Sequence, residues 1–311
     1  MKPRSDYRII YMGTPMMSAK ILEYLIQDGF NIVAVIAQED KPQGRKGILQ
    51  KVPTKVEAEK YGIPVYQPHR IRKEYEFVSD LKPDLILTMA YGQIIPQGLL
   101  DIPTHGCLNV HGSLLPKYRG AAPIQRAIID GEAKTGVTLM EMIDKMDAGK
   151  MFAFEECEIS PEDNYTSLCD KIVECGKRVL EKNLDAYFEG KLVGVEQDEK
   201  LVTFADKISS EDEKIDLSKT TKKLLNWIRG LSEEPGGYVY LNGLKFKIYK
   251  AHKISDEVNA EVGTLNISKK VCLQLVDGQI ELDEVQLEGK KKMDGRSFAN
   301  GSHHLDKQIV K

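Results

Sequence analysis

The sequence predicts an α/β fold in which a Rossmann-like, mostly parallel sheet with helices on both faces is followed by a small, OB-like β-barrel. Three observations lead to this prediction. Short β-branched runs alternate with longer helical patterns over residues 7–142, which is typical of βαβ units. Towards the end of the chain, short apolar runs follow one another like antiparallel strands. Between these regions, EGKLVGVEQDEKLV has the composition of an extended linker. We therefore expect a first domain over residues 1–189, a linker over 190–206 and a barrel over 207–311.

The first domain contains five candidate strands, each a short run of β-branched or large apolar residues. They cover residues 7–12, 32–37, 85–89, 108–111 and 135–142. Between the first two, Ile21, Leu22 and Leu25 recur at helical spacing and predict a helix with one apolar stripe against the sheet. Gly29 is expected to end that helix. A second helical pattern covers residues 165–184.

The segment 38–53 interrupts this alternation. Its sequence, QEDKPQGRKGILQKVP, combines glycines, prolines and basic residues where a doubly wound fold normally makes a short turn. We predict an inserted loop here.

The second half has a different pattern. One helix is predicted over residues 221–229, and it is followed by short runs of alternating apolar residues. These candidate strands cover residues 238–241, 244–249, 263–267, 271–275 and 280–287. Several short strands separated by turns favour a small β-barrel.

Composition limits the possible partners and compartments. The formal net charge of −3 predicts no general attraction to phosphate, so any nucleic acid must be held by local basic patches. Five cysteines without a CxxC pair suit a reducing cytoplasm better than a secreted disulfide framework. No apolar stretch is long enough for a membrane span. We expect a cytoplasmic monomer.

Two polar side chains end the strand LNVHG. Asn109 and His111 are two residues apart, so they project to the same side of the strand. In an open α/β sheet the carboxyl ends of strands border the binding crevice. Asp147 follows the next predicted strand, on a loop that contains glycine. We expect Asp147 to meet His111 across that crevice.

These residues lie within longer motifs. His111 begins HGSLLPKYRGAAPIQ, Gly13-Thr14-Pro15 follows the first strand, Ala90-Tyr91-Gly92 follows a later one, and TGVT precedes the Asp147 loop. The sequence resembles the folate-dependent formyltransferases over nearly its whole length, and most closely those that act on methionyl-tRNA. The resemblance implies a transfer of the formyl group of 10-formyltetrahydrofolate to the amine of methionyl initiator tRNA, without a metal.

The same resemblance implies catalytic roles for Asn109, His111 and Asp147. When an amine attacks the formyl carbon, negative charge develops on oxygen, and donors from Asn109 and His111 would stabilise it. Asp147 would orient His111, favour its protonated form and help to move protons from the attacking ammonium.

The resemblance also implies two sets of binding residues. Folate would lie against the backbone of Ala90, Tyr91 and Gly92, with cover from Ile94 and Ile95. The loop after His111 would complete the folate site through Ser113, Leu114, Leu115 and Pro116. tRNA would contact Lys41, Arg45, Lys46 and Lys51 in the inserted segment, and Lys245 and Lys247 in the barrel.

The chain departs from the family pattern at two places, Met16-Met17 and the segment GLSEEPGG at residues 230–237. Two other functions stay open. The enzyme could formylate another amine, on glycinamide ribonucleotide or an amino-sugar nucleotide, although GAAPIQ favours the tRNA branch. The chain could be a non-catalytic RNA-binding protein, and its basic segment could be merely a solvated insertion. A nicotinamide-dependent dehydrogenase is disfavoured, because Gly13-Thr14-Pro15 lacks the GxGxxG spacing.

Overall fold

A computed structural model describes residues 3–43 and 47–311. The chain divides into two compact units. The first contains the chain up to Pro123 together with Thr135–Cys157 and Cys169–Ala205. The second contains Ile124–Lys134, Glu158–Leu168 and Asp206–Lys311.

The strands, in chain order, begin with those of the first unit. They are β1 (Arg8–Gly13), β2 (Asn31–Ile36), β3 (Lys41–Gln43), β4 (Ile48–Gln50), β5 (Val65–Tyr66), β6 (Leu85–Met89), β7 (Cys107–His111), β8 (Lys134–Glu141) and β9 (Met151–Glu158). The strands that follow belong to the second unit. They are β10 (Gly237–Leu241), β11 (Leu244–Ser255), β12 (Leu265–Ile267), β13 (Val271–Leu275), β14 (Gly278–Leu287) and β15 (Met293–Asp294).

The α-helices are distributed along the whole described chain. They are α1 (Met16–Gln27), α2 (Pro53–Lys60), α3 (Phe77–Asp80), α4 (Gln97–Leu100), α5 (Pro123–Asp130), α6 (Tyr165–Phe188), α7 (Thr221–Leu231) and α8 (Gly295–Gly301).

The main sheet of the first unit has seven strands in the order β5-β2-β1-β6-β7-β8-β9. The neighbours from β5 to β7 run parallel, and β8 is antiparallel to β7. Strand β6 is buried along its whole length, and β1 is buried beyond Arg8, as expected for strands covered by helices on both faces. The Rossmann-like, mostly parallel sheet is confirmed.

Helix α1 shows how the sequence produces these layers. Its stripe of Ile21, Leu22 and Leu25 is fully buried. Gly29 follows the helix with a φ of 83°, a left-handed conformation that suits a helix C-terminus. The predicted helix and its end are confirmed.

The prediction of an inserted loop over residues 38–53 is wrong in part. Strands β3 and β4 form a short antiparallel hairpin, and Pro53 begins α2, where its missing N–H costs nothing. Ile48 and Leu49 are both well exposed, at 63% and 64%. Because the hairpin buries so little, it carries no alternation of apolar residues that would reveal a strand.

The second unit is an antiparallel sheet in the order β10-β11-β14-β13-β12, with β15 paired to β14. The long strand β11 shifts its register against β14 at three points, and such irregularities bend a strand. The apolar core inside the curved sheet includes Phe246, Ile248, Leu273, Leu282 and Phe298. The predicted antiparallel domain is confirmed.

The last residues of the chain connect the two edges of this sheet. Lys311 exchanges backbone hydrogen bonds of 2.7 and 2.9 Å with Tyr240 on β10. Gln308 accepts a hydrogen bond of 2.9 Å from Leu265 on β12, and Lys307 donates one of 2.9 Å back to Leu265. Both edge strands therefore have backbone partners, which is what a barrel-like arrangement requires.

Candidate active site

Strand β7 lies between β6 and β8, so its carboxyl end has neighbours on both sides. Asn109 is in register with Thr88 on β6 and Met140 on β8, and His111 is in register with Thr138. The Thr88 hydroxyl donates a hydrogen bond of 2.9 Å to Oδ1 of Asn109. With its oxygen held in this way, the Asn109 side chain can use its NH₂ group as a donor.

The imidazole of His111 is buried, with 5% of the residue exposed. Its Nε2 lies 2.9 Å from the carbonyl oxygen of Tyr118. A carbonyl can only accept, so Nε2 carries a hydrogen. Nδ1 lies 3.7 Å from Oδ1 of Asp147. Nε2 is therefore within hydrogen-bonding distance of its oxygen partner, whereas Nδ1 lies near a carboxylate oxygen but beyond that distance.

Asp147 lies in the loop between β8 and β9 and has a positive φ of 48°, which is unusual for a residue with a side chain. Its Oδ2 accepts a hydrogen bond of 2.8 Å from the backbone N–H of Gly120. The backbone carbonyl of Asp147 accepts another of 2.8 Å from Nε2 of Gln197. Asp147 is therefore held by one hydrogen bond to its carboxylate and another to its backbone carbonyl.

The loop after His111 is tied to β8 through one threonine. The Thr138 hydroxyl donates to the carbonyl of Ser113 at 2.7 Å and accepts from the N–H of Leu115 at 3.0 Å. The Ser113 hydroxyl donates to the Lys117 carbonyl at 2.7 Å. Ser113 and Leu115 are buried, whereas Leu114 and Pro116 are partly exposed. The loop is thus held in one conformation beside His111.

The segment after β6 has an unusual backbone conformation. Ala90 and Gly92 both have positive φ, at 51° and 90°. The carbonyl between them, that of Tyr91, accepts hydrogen bonds from Thr14 at 3.0 Å and Gln38 at 3.1 Å. Burial, with Glu74 as a second cause, raises the pKa of the Tyr91 hydroxyl, which has no hydrogen-bond partner among the described residues.

Ile94 and Ile95 lie in different surroundings. Ile94 is 66% exposed, whereas Ile95 packs in the core of the first unit. Only Ile94 therefore offers a free apolar surface.

The basic residues named from the sequence differ in their contacts. Lys41 lies exposed on β3, and Lys51 donates to Glu59 at 2.7 Å. Arg45 and Lys46 lie outside the described residues. In the second unit, the ammonium of Lys245 lies 4.2 Å from the centre of the Tyr238 ring, and Lys247 donates to the Pro235 carbonyl at 2.6 Å.

Three residues next to the site were not singled out from the sequence: Thr88, Arg119 and Gln197. Arg119 is 1% exposed and lies within the motif PKYRGAAP, which could have drawn attention to it. Thr88 and Gln197 carry no such signal, because single polar residues in a strand or a polar segment are common.

Neither a metal-binding cluster nor a membrane-spanning helix is found in residues 3–43 and 47–311. No group of His, Cys, Asp or Glu side chains among them is arranged to hold a metal ion. Within the same ranges, no helix is long and apolar enough to cross a bilayer.

Solved structures with the same fold include HypX from Aquifex aeolicus in complex with tetrahydrofolic acid. It has a TM-score of 0.68 and 18% identity over 94% of this chain and 47% of that one. A second is an N-formyltransferase from Helicobacter canadensis in complex with folinic acid and dTDP-3-aminofucose. Its TM-score is 0.67, with 19% identity over 89% of this chain and 98% of that one. At these identities the likeness establishes the fold.

Sequence comparison goes further. The profile of the formyl transferase family matches residues 7–184, and that of the formyl transferase C-terminal domain matches residues 207–303. Methionyl-tRNA formyltransferases from Bacillus thuringiensis (strain Al Hakam) and Bacillus anthracis are each 43% identical to this chain over 300 residues. Each alignment covers 95% of this chain and 96% of the relative. The chain therefore belongs to the formyl transferase family of enzymes.

Proposed function

We propose that this enzyme transfers the formyl group of 10-formyltetrahydrofolate to the free amino group of methionine on initiator tRNA, giving N-formylmethionyl-tRNA for translation initiation in the cytoplasm. One observation carries the choice of acceptor: the proteins that are 43% identical over 95% of this chain are named methionyl-tRNA formyltransferases. The geometry around His111 supports the chemistry.

Asn109 acts on the oxygen of the formyl group. As the amine nitrogen bonds to the formyl carbon, the carbonyl oxygen becomes negatively charged. The Asn109 amide can donate to that oxygen because Thr88 holds its Oδ1. A donor that is already oriented needs no reorganisation when the charge develops.

His111 and Asp147 act on the same reaction through Nδ1. Because Nε2 donates to the Tyr118 carbonyl, Nδ1 is the nitrogen left to face a substrate. The protonated ring stabilises the developing negative charge, and the carboxylate of Asp147, 3.7 Å away, stabilises the protonated ring.

Protons move in two steps. The methionyl ammonium first loses a proton, directly or through water, to Asp147, which leaves a nucleophilic amine. Asp147 passes this proton to solvent and is a carboxylate again when the amine attacks. After the amine attacks, the bond between the formyl carbon and N10 of the folate breaks. The second proton of the attacking nitrogen passes to N10, so the products are the formamide and tetrahydrofolate.

Folate binds along the segment that follows β6. Ala90 and Gly92 are exposed and have positive φ, so their own backbone polar groups lie on a turn that a flat heterocycle can reach, whereas the Tyr91 carbonyl is bound to Thr14 and Gln38. The exposed side chain of Ile94 gives apolar cover. The loop of Ser113, Leu114, Leu115 and Pro116 borders the same site. Ile95 packs in the core of the first unit and contributes by holding this segment in place.

The tRNA contacts are electrostatic and lie in two regions. Lys41, Arg45, Lys46 and Lys51, all within the sequence segment 38–53, contact the acceptor end, where Lys51 exchanges its ion pair with Glu59 for phosphate. Lys245 and Lys247 in the second unit add a further contact. We divide the chain into a catalytic domain over residues 1–189, a connecting segment over 190–206 and a tRNA-binding domain over 207–311, acting as a monomer.

The test is a competition between acceptors. Purified protein is incubated with 10-formyltetrahydrofolate labelled in the formyl group and with charged initiator tRNA, glycinamide ribonucleotide or an amino-sugar nucleotide. We expect label on methionyl-tRNA alone. Label on either small acceptor instead would assign a different substrate. An absence of transfer to all three, with retained tRNA binding, would favour an RNA-binding protein without catalysis.

A further inference from the structure

The segment that the sequence predicts as a linker runs beside the Asp147 loop. Residues 195–205, which we term the strap, belong to the first unit. Val195 exchanges two backbone hydrogen bonds of 2.8 Å with Met151. At the other end of the strap, Ala205 donates to the Arg119 carbonyl at 2.7 Å. The strap is therefore anchored on both sides of its one buried glutamine, Gln197.

The amide of Gln197 binds the Asp147 loop twice. Its Nε2 donates to the carbonyl of Asp147 at 2.8 Å and to the carbonyl of Gly149 at 2.8 Å. The two NH₂ hydrogens are thus both used on the same turn of backbone. A residue with the positive φ of Asp147 keeps that conformation only when its surroundings hold it, and these two bonds are such a restraint.

Arg119 decides which way the amide points. Its Nε donates a hydrogen bond of 2.9 Å to Oε1 of Gln197. A guanidinium group has no acceptor, so the atom facing it must be the amide oxygen, and the NH₂ group must face the Asp147 loop. Arg119 is itself held, since its Nη2 donates to Glu199 at 2.9 Å and its N–H to the Thr203 carbonyl at 2.9 Å.

We propose that Gln197 is a positioning residue for formyl transfer, which holds Asp147 at its place beside His111 and is itself oriented by the buried Arg119. This role rests on the proposed function. It requires an amide at residue 197. A carboxylate there would place an acceptor oxygen against the carbonyl oxygens of Asp147 and Gly149, and an apolar side chain would offer them no donor.

The test compares two variants with a control. Gln197→Met has a side chain of similar length but removes both donors and the acceptor. Gln197→Glu removes the donors but keeps an oxygen that accepts from Nε of Arg119. It therefore tests the same role while the contact between residue 197 and Arg119 is kept. Glu196→Ala is the control, because Glu196 is 76% exposed and its contact is with Lys150.

We expect both Gln197 variants to lower kcat for methionyl-tRNA formylation by about 10- to 100-fold, as small misplacements of a reacting group do. KM for each substrate should stay within about threefold, because no substrate contact is lost. The control should match the wild type, and thermal unfolding shows which variants are folded.

Two outcomes overturn the role of Gln197: folded variants with wild-type kcat, or a rise in KM with unchanged kcat. Both require an active wild type and leave the proposed function intact. A wild type that formylates no acceptor would overturn the proposed function, and the role of Gln197 in formyl transfer would fall with it.

Discussion

The Nδ1 atom of His111 lies 3.7 Å from Oδ1 of Asp147, which is longer than a hydrogen bond. Each partner is held by other contacts: the ring by the Tyr118 carbonyl at 2.9 Å, and the carboxylate by the Gly120 N–H at 2.8 Å. The two groups are therefore close enough to interact electrostatically, but neither is hydrogen-bonded to the other. Catalytic hydrogen bonds are often long without substrate and shorten in the complex, so this spacing suits a site that a substrate completes.

Removal of the imidazole should act mainly on the chemical step. We expect His111→Ala to lower kcat by at least about 100-fold, the usual effect of losing one oriented donor to a developing oxyanion. The affinity for tRNA should remain within about threefold, since the lost contact forms in the transition state. Steady-state kinetics and a tRNA binding titration check this.

The matched control is His252→Ala, which removes an exposed histidine bound to Asp283 in the second unit. It should retain wild-type turnover. A His111→Ala enzyme that turns over normally but binds tRNA weakly would contradict the assignment.

How far the fold follows from the sequence depends on burial. Strands β6 and β13 lie where their short apolar runs predict them, because all of their residues are buried and turns bound them. Strand β9 was missed: it lies at the sheet edge, its exposed and partly buried residues alternate, and charged residues occupy its second half. An edge strand buries too little to leave a clear apolar pattern.

The residues of the site also differ in how well the sequence predicts them. Asn109, His111 and Asp147 belong to recognisable motifs, and the structure brings His111 and Asp147 together. Gln197 sits in a polar stretch that reads as a linker, and its burial depends on contacts with distant parts of the chain. Such contacts leave no local signal, so a residue of this kind is found only in three dimensions.

Gly149 lies where the Asp147 loop meets the end of β8. A Cβ added there would overlap the carbonyl oxygen of Glu141, so the backbone would have to move. We expect Gly149→Ala to lower the free energy of unfolding by about 1 to 3 kcal/mol, as overpacking does. It should also lower kcat, since the Gly149 carbonyl is one of the two bound by Gln197.

Denaturant unfolding and kinetics measure both effects, with Gly301→Ala as the control. At Gly301 an added Cβ meets nothing within 4 Å. That variant should stay within about 0.5 kcal/mol of the wild type. Equal stability of the two variants would show that the Asp147 loop tolerates displacement.

Arg45 should contribute to tRNA binding through charge. We expect Arg45→Ala to raise KM for methionyl-tRNA and to reduce the slope of log affinity against log salt by roughly one unit, or somewhat less. The control is Lys20→Ala, which removes a lysine of α1 that is paired with Asp170. Titrations at several salt concentrations that give the same slope for all three proteins would exclude the contact.

Asp277 should make the stability of the second unit depend on pH. Its Oδ1 accepts hydrogen bonds of 2.6 and 2.7 Å from the hydroxyl and N–H of Thr221, at the start of α7. The side-chain bond from Thr221, followed by the backbone bond, lowers the pKa of Asp277 below its ordinary value of 3.8. The stabilisation is therefore present above that ordinary value and is lost as pH falls through the lower, folded-state pKa.

We expect Asp277→Asn to lose about 0.5 kcal/mol at neutral pH, a modest effect because the carboxylate is exposed. The difference from the wild type should shrink below about pH 4. Thermal unfolding from pH 3 to 7 checks it, with Asp256→Asn as the control for an exposed carboxylate. A difference that grows on acidification would have the wrong sign.

The pairing of His111 with Asp147 is tested most directly by a double-mutant cycle on kcat with His111→Ala, Asp147→Asn and the two combined. Asp144→Asn serves as the control, because Asp144 is exposed on the same loop. Groups that act as one unit lose their effect together, so we predict a double variant within about threefold of the slower single variant. A double variant slowed by the full product of the two single effects would show that the imidazole and the carboxylate work independently.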